Sequence, residues 1–181
     1  MRHEIVMSGF GGQGVLLMGQ ILTYAGMLED KNVSWIPSYG PEMRGGTANC
    51  SVIIADGETG SPIVEQPTAA VVLNLPSLDK FEPTVATGGV LIVNSSLIDK
   101  AVKRQDITVY RVPVNEIATE LGNLKMANMV ALGALIAATG AVDMDVLFNA
   151  FAKKFASKPQ VIEGNKQAIK RGYDCVKKNI D

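Results

Sequence analysis

Short apolar runs and longer helical segments alternate along the first two thirds of the chain, with polar residues between them. Residues 5–7 form the kind of apolar run that buried strands show, and residues 14–28 form an apolar segment of helical length. Further strands are predicted at 33–36, 48–55, 69–73, 89–93 and 107–112. From Val114 onward the pattern is helical. Alternating strands and helices, with helices gathered at the C-terminal end, predict a three-layer α/β domain.

The third predicted strand ends in a turn signal. Asp56-Gly57 follows it directly, and Gly60 and Pro62 come soon after. This signal favours a hairpin or another antiparallel excursion at that point. We therefore expect a mostly parallel, mixed sheet.

Three residues predict where helices begin. Pro76 and Pro159 suit the first turn of a helix, and the Asp143 carboxylate can accept backbone N–H bonds at the start of a helix that runs through Phe151. Apolar residues of the last helix share one stripe: Ile162, Ile169, Tyr173, Val176 and Ile180. We expect that helix to bury this stripe and to leave its lysines in water.

Size and charge exclude several classes of protein. The chain has 181 residues, which we take as one domain over 1–181, and its net charge of -1 gives no reason to expect nucleic acid or a membrane as partner. We see no signal peptide, and the apolar segment 126–142 is shorter than the roughly 20 residues of a membrane helix. Cys50 and Cys175 are isolated, so we expect a cytoplasmic protein with reduced thiols and no metal site of its own.

Two long segments, 5–28 and 126–142, contain no charged residue. A helix that faces water on one side normally carries charged residues there. The first helix could be buried within its own domain. The alternative is a subunit interface, so we expect the isolated chain to self-associate or to bind partners.

The most informative feature is a pair of glycine-rich segments about one strand–helix–strand unit apart. The first, Gly9-Phe10-Gly11-Gly12-Gln13-Gly14, follows a predicted strand and opens a predicted helix, where backbone N–H groups can hold an anion. It satisfies the dinucleotide pattern GxGxxG, but the second strand runs into Pro37-Ser38-Tyr39-Gly40 without the confirming acid. Dinucleotide binding is therefore disfavoured. The glycines either permit a tight turn only or hold another anionic or polar group.

The second segment, 39–46, has Arg44 as its single cation. A guanidinium between Glu42 and Gly45-Gly46 could receive a phosphate, a carboxylate or an acidic side chain of a partner. The alternative is a structural contact between Arg44 and Glu42. Because the one histidine, His3, lies beside the N-terminus without a nucleophile nearby in sequence, we expect no catalytic residue in this chain.

The two segments together resemble the gamma subunit, or gamma domain, of the 2-oxoacid:ferredoxin (or flavodoxin) oxidoreductases. The matching residues run from Ser8 to Gly14 and from Ser38 to Ala48, and Asn49-Cys50-Ser51-Val52 continues the match. Asn128-Met129, followed by Ala131-Leu132-Gly133, resembles the family's helical segment. The resemblance covers essentially the whole chain and implies a Rossmann-like subunit of a larger complex.

Such a complex decarboxylates a 2-oxoacid to acyl-CoA with thiamine diphosphate, Mg, 4Fe-4S iron–sulfur clusters and coenzyme A, and electrons pass to ferredoxin. The resemblance implies alpha, beta and ferredoxin-like delta subunits as partners, which hold most of these cofactors. The gamma part packs against the thiamine-binding subunits and is implicated in the coenzyme A region. We therefore expect the isolated chain to be inactive. The form Ser38-Tyr39-Gly40-Pro41 is nearer the 2-oxoglutarate or branched-chain types than the pyruvate type.

The predicted cofactor-binding residues all come from the two glycine-rich segments: Gly9, Gly11, Gly12, Gln13, Gly14, Ser38, Tyr39, Arg44, Gly45 and Gly46. Two other functions stay open. The chain could be a purely structural interface subunit, or a nucleotide-binding oxidoreductase, against which the missing acid argues.

Overall fold

A computed structural model describes residues 1–39 and 47–179. The strands within these ranges are β1 (Arg2–Phe10), β2 (Asn32–Tyr39), β3 (Thr47–Ala55), β4 (Ala69–Val72), β5 (Val90–Asn94) and β6 (Thr108–Val112). The α-helices are α1 (Val15–Leu28), α2 (Leu75–Phe81), α3 (Val114–Glu120), α4 (Ala127–Thr139), α5 (Met144–Lys154) and α6 (Ile162–Lys177). Every strand and helix predicted from the apolar pattern is present; β1, β2 and β3 are longer than predicted, and the other strands agree to within one residue at each end.

The strands form one sheet in the order β2-β3-β1-β4-β5-β6. β1, β4, β5 and β6 pair in parallel, whereas β3 is antiparallel to both of its neighbours, β1 and β2. The mixed, mostly parallel sheet is thus confirmed. The antiparallel turn predicted at Asp56-Gly57 is wrong. These residues lead from β3 to β4, which do not pair, and the antiparallel partners of β3 are β1 and β2, which precede it in the chain. Since β2 runs in the same direction as β1, their carboxyl ends share one edge of the sheet.

Helices cover both faces of the sheet and complete three layers. Alternate residues of a strand point to opposite faces, and β4 illustrates the division. Val71 joins the larger core, which includes α1, α4, α5 and α6, whereas Val72 joins a smaller core with Leu78 of α2. The three-layer α/β fold is confirmed, and the C-terminal helices lie together on one face.

The charge-free segment 126–142 is explained by burial within the chain itself. Residues Asn128–Ala137 of α4 are all buried, mostly between the sheet and α6. The subunit interface that we inferred from this segment therefore has no support from α4. α1 packs against β3 and α5, and its own exposed apolar side chain is Met27. Because α4 is covered on all sides, it needs no charged face, and its lack of charge does not indicate a subunit interface.

The helix ends follow the predicted chemistry. The Asp143 side chain accepts the N–H of Asp145 at 2.8 Å and caps α5, which continues past Phe151 to Lys154. Pro159 opens a short 3-10 turn, Pro159–Val161, that leads directly into α6. The described residues of the predicted stripe on α6 are buried or half-buried, and Ile180 lies outside the described residues. No helix within residues 1–39 and 47–179 has the length and apolar character that a membrane crossing requires.

Candidate functional site

The carboxyl ends of the parallel strands meet at a cleft of about 640 Å³. It lies where the chain connections diverge: β1 leads through α1 to one side of the sheet, and β4 leads through α2 to the other. Open α/β sheets bind ligands at such a switch point. The lining residues come from the loops that follow β1, β4, β5 and β6 and from the start of α4; they are Gly12, Gln13, Gly14, Leu17, Leu73, Asn94, Val114, Asn115, Asn123, Leu124, Lys125, Ala127 and Asn128.

The first glycine-rich segment forms a closed turn between β1 and α1. The Gln13 N–H donates to the Phe10 carbonyl at 3.1 Å, and the Gln13 side-chain oxygen accepts the Phe10 N–H at 2.6 Å. Gly14 then caps α1 with φ of 76°, a left-handed conformation that favours glycine. Within residues 1–39 and 47–179 no side chain caps this helix, and N–H groups of a first helical turn are the kind of donors that bind anions.

Asn128, at the start of α4, contacts the end of this turn. Its amide nitrogen donates to the Gly14 carbonyl at 3.2 Å, and its side-chain oxygen accepts the N–H of Met129 at 2.9 Å. The same Gly14 carbonyl accepts the Met18 N–H at 3.1 Å, which is the first hydrogen bond of α1. Asn128 therefore joins the N-termini of α1 and α4 beside the cleft.

Further asparagines connect the strand ends around the cleft. The buried Asn94 amide donates to the Leu73 carbonyl at 3.1 Å and to the Asn115 side-chain oxygen at 3.0 Å. Asn123 accepts the Lys125 N–H at 3.0 Å and so positions the turn before α4. The amide nitrogens of Asn115 and Asn123 are donors that a ligand in the cleft can reach. Among the described residues that line the cleft, Lys125 carries the only charge.

The structure places the predicted residues of the first segment together at this edge. Gly9 is buried at the end of β1, and Gly11 to Gly14 form the turn. Ser38 is exposed at the carboxyl end of β2 and pairs with Asn49, which pairs in turn with Ser8, so one strand separates Ser38 from the first segment. Tyr39 is the last residue of β2. Arg44, Gly45 and Gly46 lie outside the described residues.

A second, smaller hollow of about 260 Å³ lies on the other side of the first turn. Its walls include Gly11, Gly12 and Leu16, together with Thr47 and Ala48 at the start of β3. Thr47 directly follows the second glycine-rich segment in the chain. The first turn therefore borders the start of β3 as well as the main cleft.

The sequence analysis missed Asn94, Asn115, Asn123 and Lys125, and it used Asn128 only as part of a resemblance. A signal for two of them was present. Asn94 follows a predicted strand directly, and Asn115 comes soon after the next one. Because carboxyl ends of parallel strands share an edge, these residues belong near the glycine turn. Asn123 and Lys125 carried no comparable signal, since their position depends on how α4 packs.

The sheet order argues against dinucleotide binding. In a dinucleotide-binding domain the second strand lies beside the first, and an acid at its tip reaches the ribose. Here β3 lies between β1 and β2. A side chain at the tip of β2 is therefore displaced by one strand from the usual ribose position, and the chain has Ser38 there instead of an acid.

Metal and thiol chemistry receive no support from the described residues. No group of three His, Cys, Asp or Glu side chains within residues 1–39 and 47–179 is placed to hold a metal ion. Cys50 is fully buried under α1, and this burial raises the pKa of its thiol to about 12. Cys50 is thus a packed core residue in its neutral form.

Fold and cleft together define an α/β domain of the open-sheet type with a candidate ligand cleft. Residues 4–175 match the family model described as pyruvate ferredoxin/flavodoxin oxidoreductase. The chain belongs to this family. It is 38% identical over 180 residues to the ketoisovalerate oxidoreductase subunit VorA of Methanothermobacter marburgensis. It is also 38% identical over 181 residues to the 2-oxoglutarate synthase subunit KorC of Methanocaldococcus jannaschii. The predicted family is confirmed.

The two relatives differ in length. The match covers 98% of this chain in both cases, but 37% of VorA and 95% of KorC. The chain therefore spans little more than a third of the VorA subunit.

Solved structures share the fold. The gamma subunit of a keto/oxoacid ferredoxin oxidoreductase from Geobacter sulfurreducens has a TM-score of 0.83 and 32% identity, with 97% of this chain and 99% of that chain covered. The 2-oxoglutarate:ferredoxin oxidoreductase of Magnetococcus marinus, solved with coenzyme A and succinyl-CoA bound, has a TM-score of 0.89 over 98% of this chain and 31% of that chain. Its identity of 20% makes this a likeness of fold alone.

Proposed function

We propose that this chain is the gamma subunit of a multi-subunit 2-oxoacid:ferredoxin oxidoreductase, which converts a 2-oxoacid to its acyl-CoA. The observation that carries the proposal is the cleft at the switch point, lined by the glycine turn, asparagine amides and Lys125, in a chain of this family. Alpha and beta subunits would hold thiamine diphosphate with Mg, and a ferredoxin-like delta subunit would hold the 4Fe-4S clusters. The catalytic groups would come from these partner subunits. It would shape the outer wall of the site on the coenzyme A side and support assembly.

Coenzyme A suits the chemistry of the cleft in two ways. Its phosphates are anionic, and the cleft offers the Lys125 ammonium together with the glycine turn that leads into α1. Its pantetheine arm carries amide groups on an aliphatic chain, and the cleft offers asparagine amides beside Leu17, Leu73 and Leu124. The coenzyme A bound in the Magnetococcus marinus enzyme supports this assignment through the shared fold. The predicted site residues of both glycine-rich segments remain part of the proposal.

The names of the relatives support a substrate class. VorA acts in ketoisovalerate oxidation and KorC in 2-oxoglutarate synthesis by their names, which favours a branched-chain 2-oxoacid or 2-oxoglutarate over pyruvate. The free thiols of Cys50 and Cys175 support a reducing compartment, and we place the complex in the cytoplasm.

Reconstitution with the partner subunits tests the proposal. The isolated chain should give no 2-oxoacid-dependent reduction of a viologen dye, and the assembled complex should give it. In that complex, Lys125→Ala should raise the KM for coenzyme A about tenfold, the loss expected for one charge-assisted contact, and leave kcat nearly unchanged. The matched control is Lys103→Ala, because Lys103 is an exposed lysine that lines a different hollow.

The alternative of a purely structural subunit predicts a different result. Lys125→Ala would then leave the KM for coenzyme A unchanged, and any loss of activity would follow loss of the complex. Calorimetric titration of the isolated chain with NAD tests the nucleotide-binding alternative, which the position of β3 between β1 and β2 disfavours.

A further inference from the structure

The carbonyl group of Gly14 is held from two directions. It accepts the Met18 N–H of its own helix at 3.1 Å and the Asn128 amide of α4 at 3.2 Å. A side chain on Gly14 would overlap the Asn128 amide, so the absence of a Cβ is what allows this contact. The turn that precedes α1 is thus anchored at its last residue to a different helix.

Asn128 is itself fixed in place. It is 4% exposed, and its oxygen is engaged by the Met129 N–H at 2.9 Å. The helix that carries it packs closely on α6, because Gly133 lies against the Ile169 carbonyl without space for a side chain. The amide nitrogen of Asn128 is therefore placed to hold the Gly14 carbonyl by a hydrogen bond of 3.2 Å.

From this geometry we infer that Asn128 is the positioning residue of the coenzyme A site, because it holds the Gly14 carbonyl and with it the glycine turn that lines the cleft. The inference rests on the proposed function. Asn128 and Lys125, three residues before it, line the same cleft as Gly12 and Gly14 of the turn. A ligand that contacts both Lys125 and the glycine turn depends on how the turn is placed. The fold of the sheet does not depend on it.

Two substitutions in the assembled complex test the role. Asn128→Asp keeps the oxygen that accepts the Met129 N–H but loses the donor to Gly14, and Asn128→Leu loses both without adding charge. Each should raise the KM for coenzyme A by about tenfold or more and leave kcat at saturating coenzyme A within about twofold. For Asn128→Asp, the increase should shrink as the pH falls, because a protonated carboxyl group can donate to the Gly14 carbonyl again.

The matched control is Asn165→Asp, because the Asn165 amide also donates to a helical carbonyl, that of Val161, at 2.8 Å on α6. It should leave the KM for coenzyme A unchanged. If the Asn128 variants lower only the melting temperature, with an unchanged KM, Asn128 is merely structural and the inference is wrong. A raised KM in Lys125→Ala beside an unchanged KM in both Asn128 variants overturns the positioning role alone. Unchanged KM values in all three variants overturn the proposed coenzyme A site together with the inference.

Discussion

Gly133 of α4 lies directly against the carbonyl oxygen of Ile169 in α6, with no space for a Cβ between them. The contact is reciprocal, since Gly172 of α6 lies in the same way against the carbonyl of Val130. Where two helices are in backbone contact, a charged side chain does not fit between them and would be buried away from water. This relationship accounts for the charge-free sequence of α4 and fixes the helix whose N-terminus borders the cleft.

Gly133→Ala should therefore destabilise the protein. The added methyl group overlaps a backbone atom that cannot move alone, so the helices must separate, at a cost of about 1–3 kcal/mol or more in the free energy of unfolding. Urea denaturation measures the change. Gly164→Ala is the control on α6, because there the nearest atom is the sulfur of Met126 at 3.3 Å, on a flexible side chain. Equal stability of the two variants would contradict the backbone contact.

Gly14→Ala should destabilise more than a substitution at another left-handed glycine. Gly88 has a similar φ of 80°, and no atom lies within 4 Å of the position that a Cβ would take there. Gly88→Ala should thus show only the conformational cost of about 1–2 kcal/mol, whereas Gly14→Ala also displaces Asn128. The comparison uses the free energy of unfolding of each variant. A loss no larger at Gly14 than at Gly88 would mean that Asn128 adapts freely.

The two cysteines should react with a thiol reagent at very different rates. Burial raises the pKa of Cys50 to about 12, and burial also raises the pKa of Cys175, which is only partly buried on α6. Because the thiolate is the reactive form, Cys175 should label first and Cys50 only after unfolding. Mass spectrometry of the labelled peptides, with and without urea, measures both rates. Rapid labelling of Cys50 in the native protein would show that α1 opens readily.

Stability should fall as the pH drops below the ordinary histidine pKa of 6.5. Burial, then the charges of Lys31 and the N-terminal amine, lower the pKa of His3, and Asp56 opposes this shift. The folded protein therefore binds fewer protons than the unfolded protein, so acidification favours unfolding. The melting temperature should fall more in wild type than in His3→Gln between about pH 7.5 and about pH 5.5. Identical pH dependence in both proteins would exclude His3 as the cause.

Arg44→Ala should impair the assembled enzyme more than it impairs folding. Arg44 is the single cation of the two glycine-rich segments. If it contacts coenzyme A, the lost bidentate contact of roughly 1.5–3 kcal/mol should raise the KM for coenzyme A about tenfold or more, while the melting temperature changes little. A complex that dissociates with an unchanged KM would instead identify Arg44 as an interface residue.

The sequence by itself determined the elements of this protein. Each strand contains apolar residues, in a continuous run as in β4 or alternating with polar ones as in β6, and the helix starts at Asn74 and Asp143 depend on side chains that bond to the N–H groups of the next few residues. These are local interactions, which neighbours in the chain decide. The glycine turn was predicted for the same reason, because the conformational freedom of its glycines is a property of the residues themselves. The family followed from the spacing of two such local segments.

Tertiary structure alone decided how these elements are arranged. The insertion of β3 between β1 and β2 depends on hydrogen bonds between distant segments, which no local pattern encodes. The sequence also does not say what buries the charge-free helix α4, because an apolar helix can be buried by its own chain or by another subunit. For the same reason Lys125 and Asn128 joined the site only when the packing of α4 on α6 brought them to the glycine turn. Asn128 and Gly14 are more than a hundred positions apart, and their contact arises from the packing of whole helices. The local sequence around either residue does not predict it.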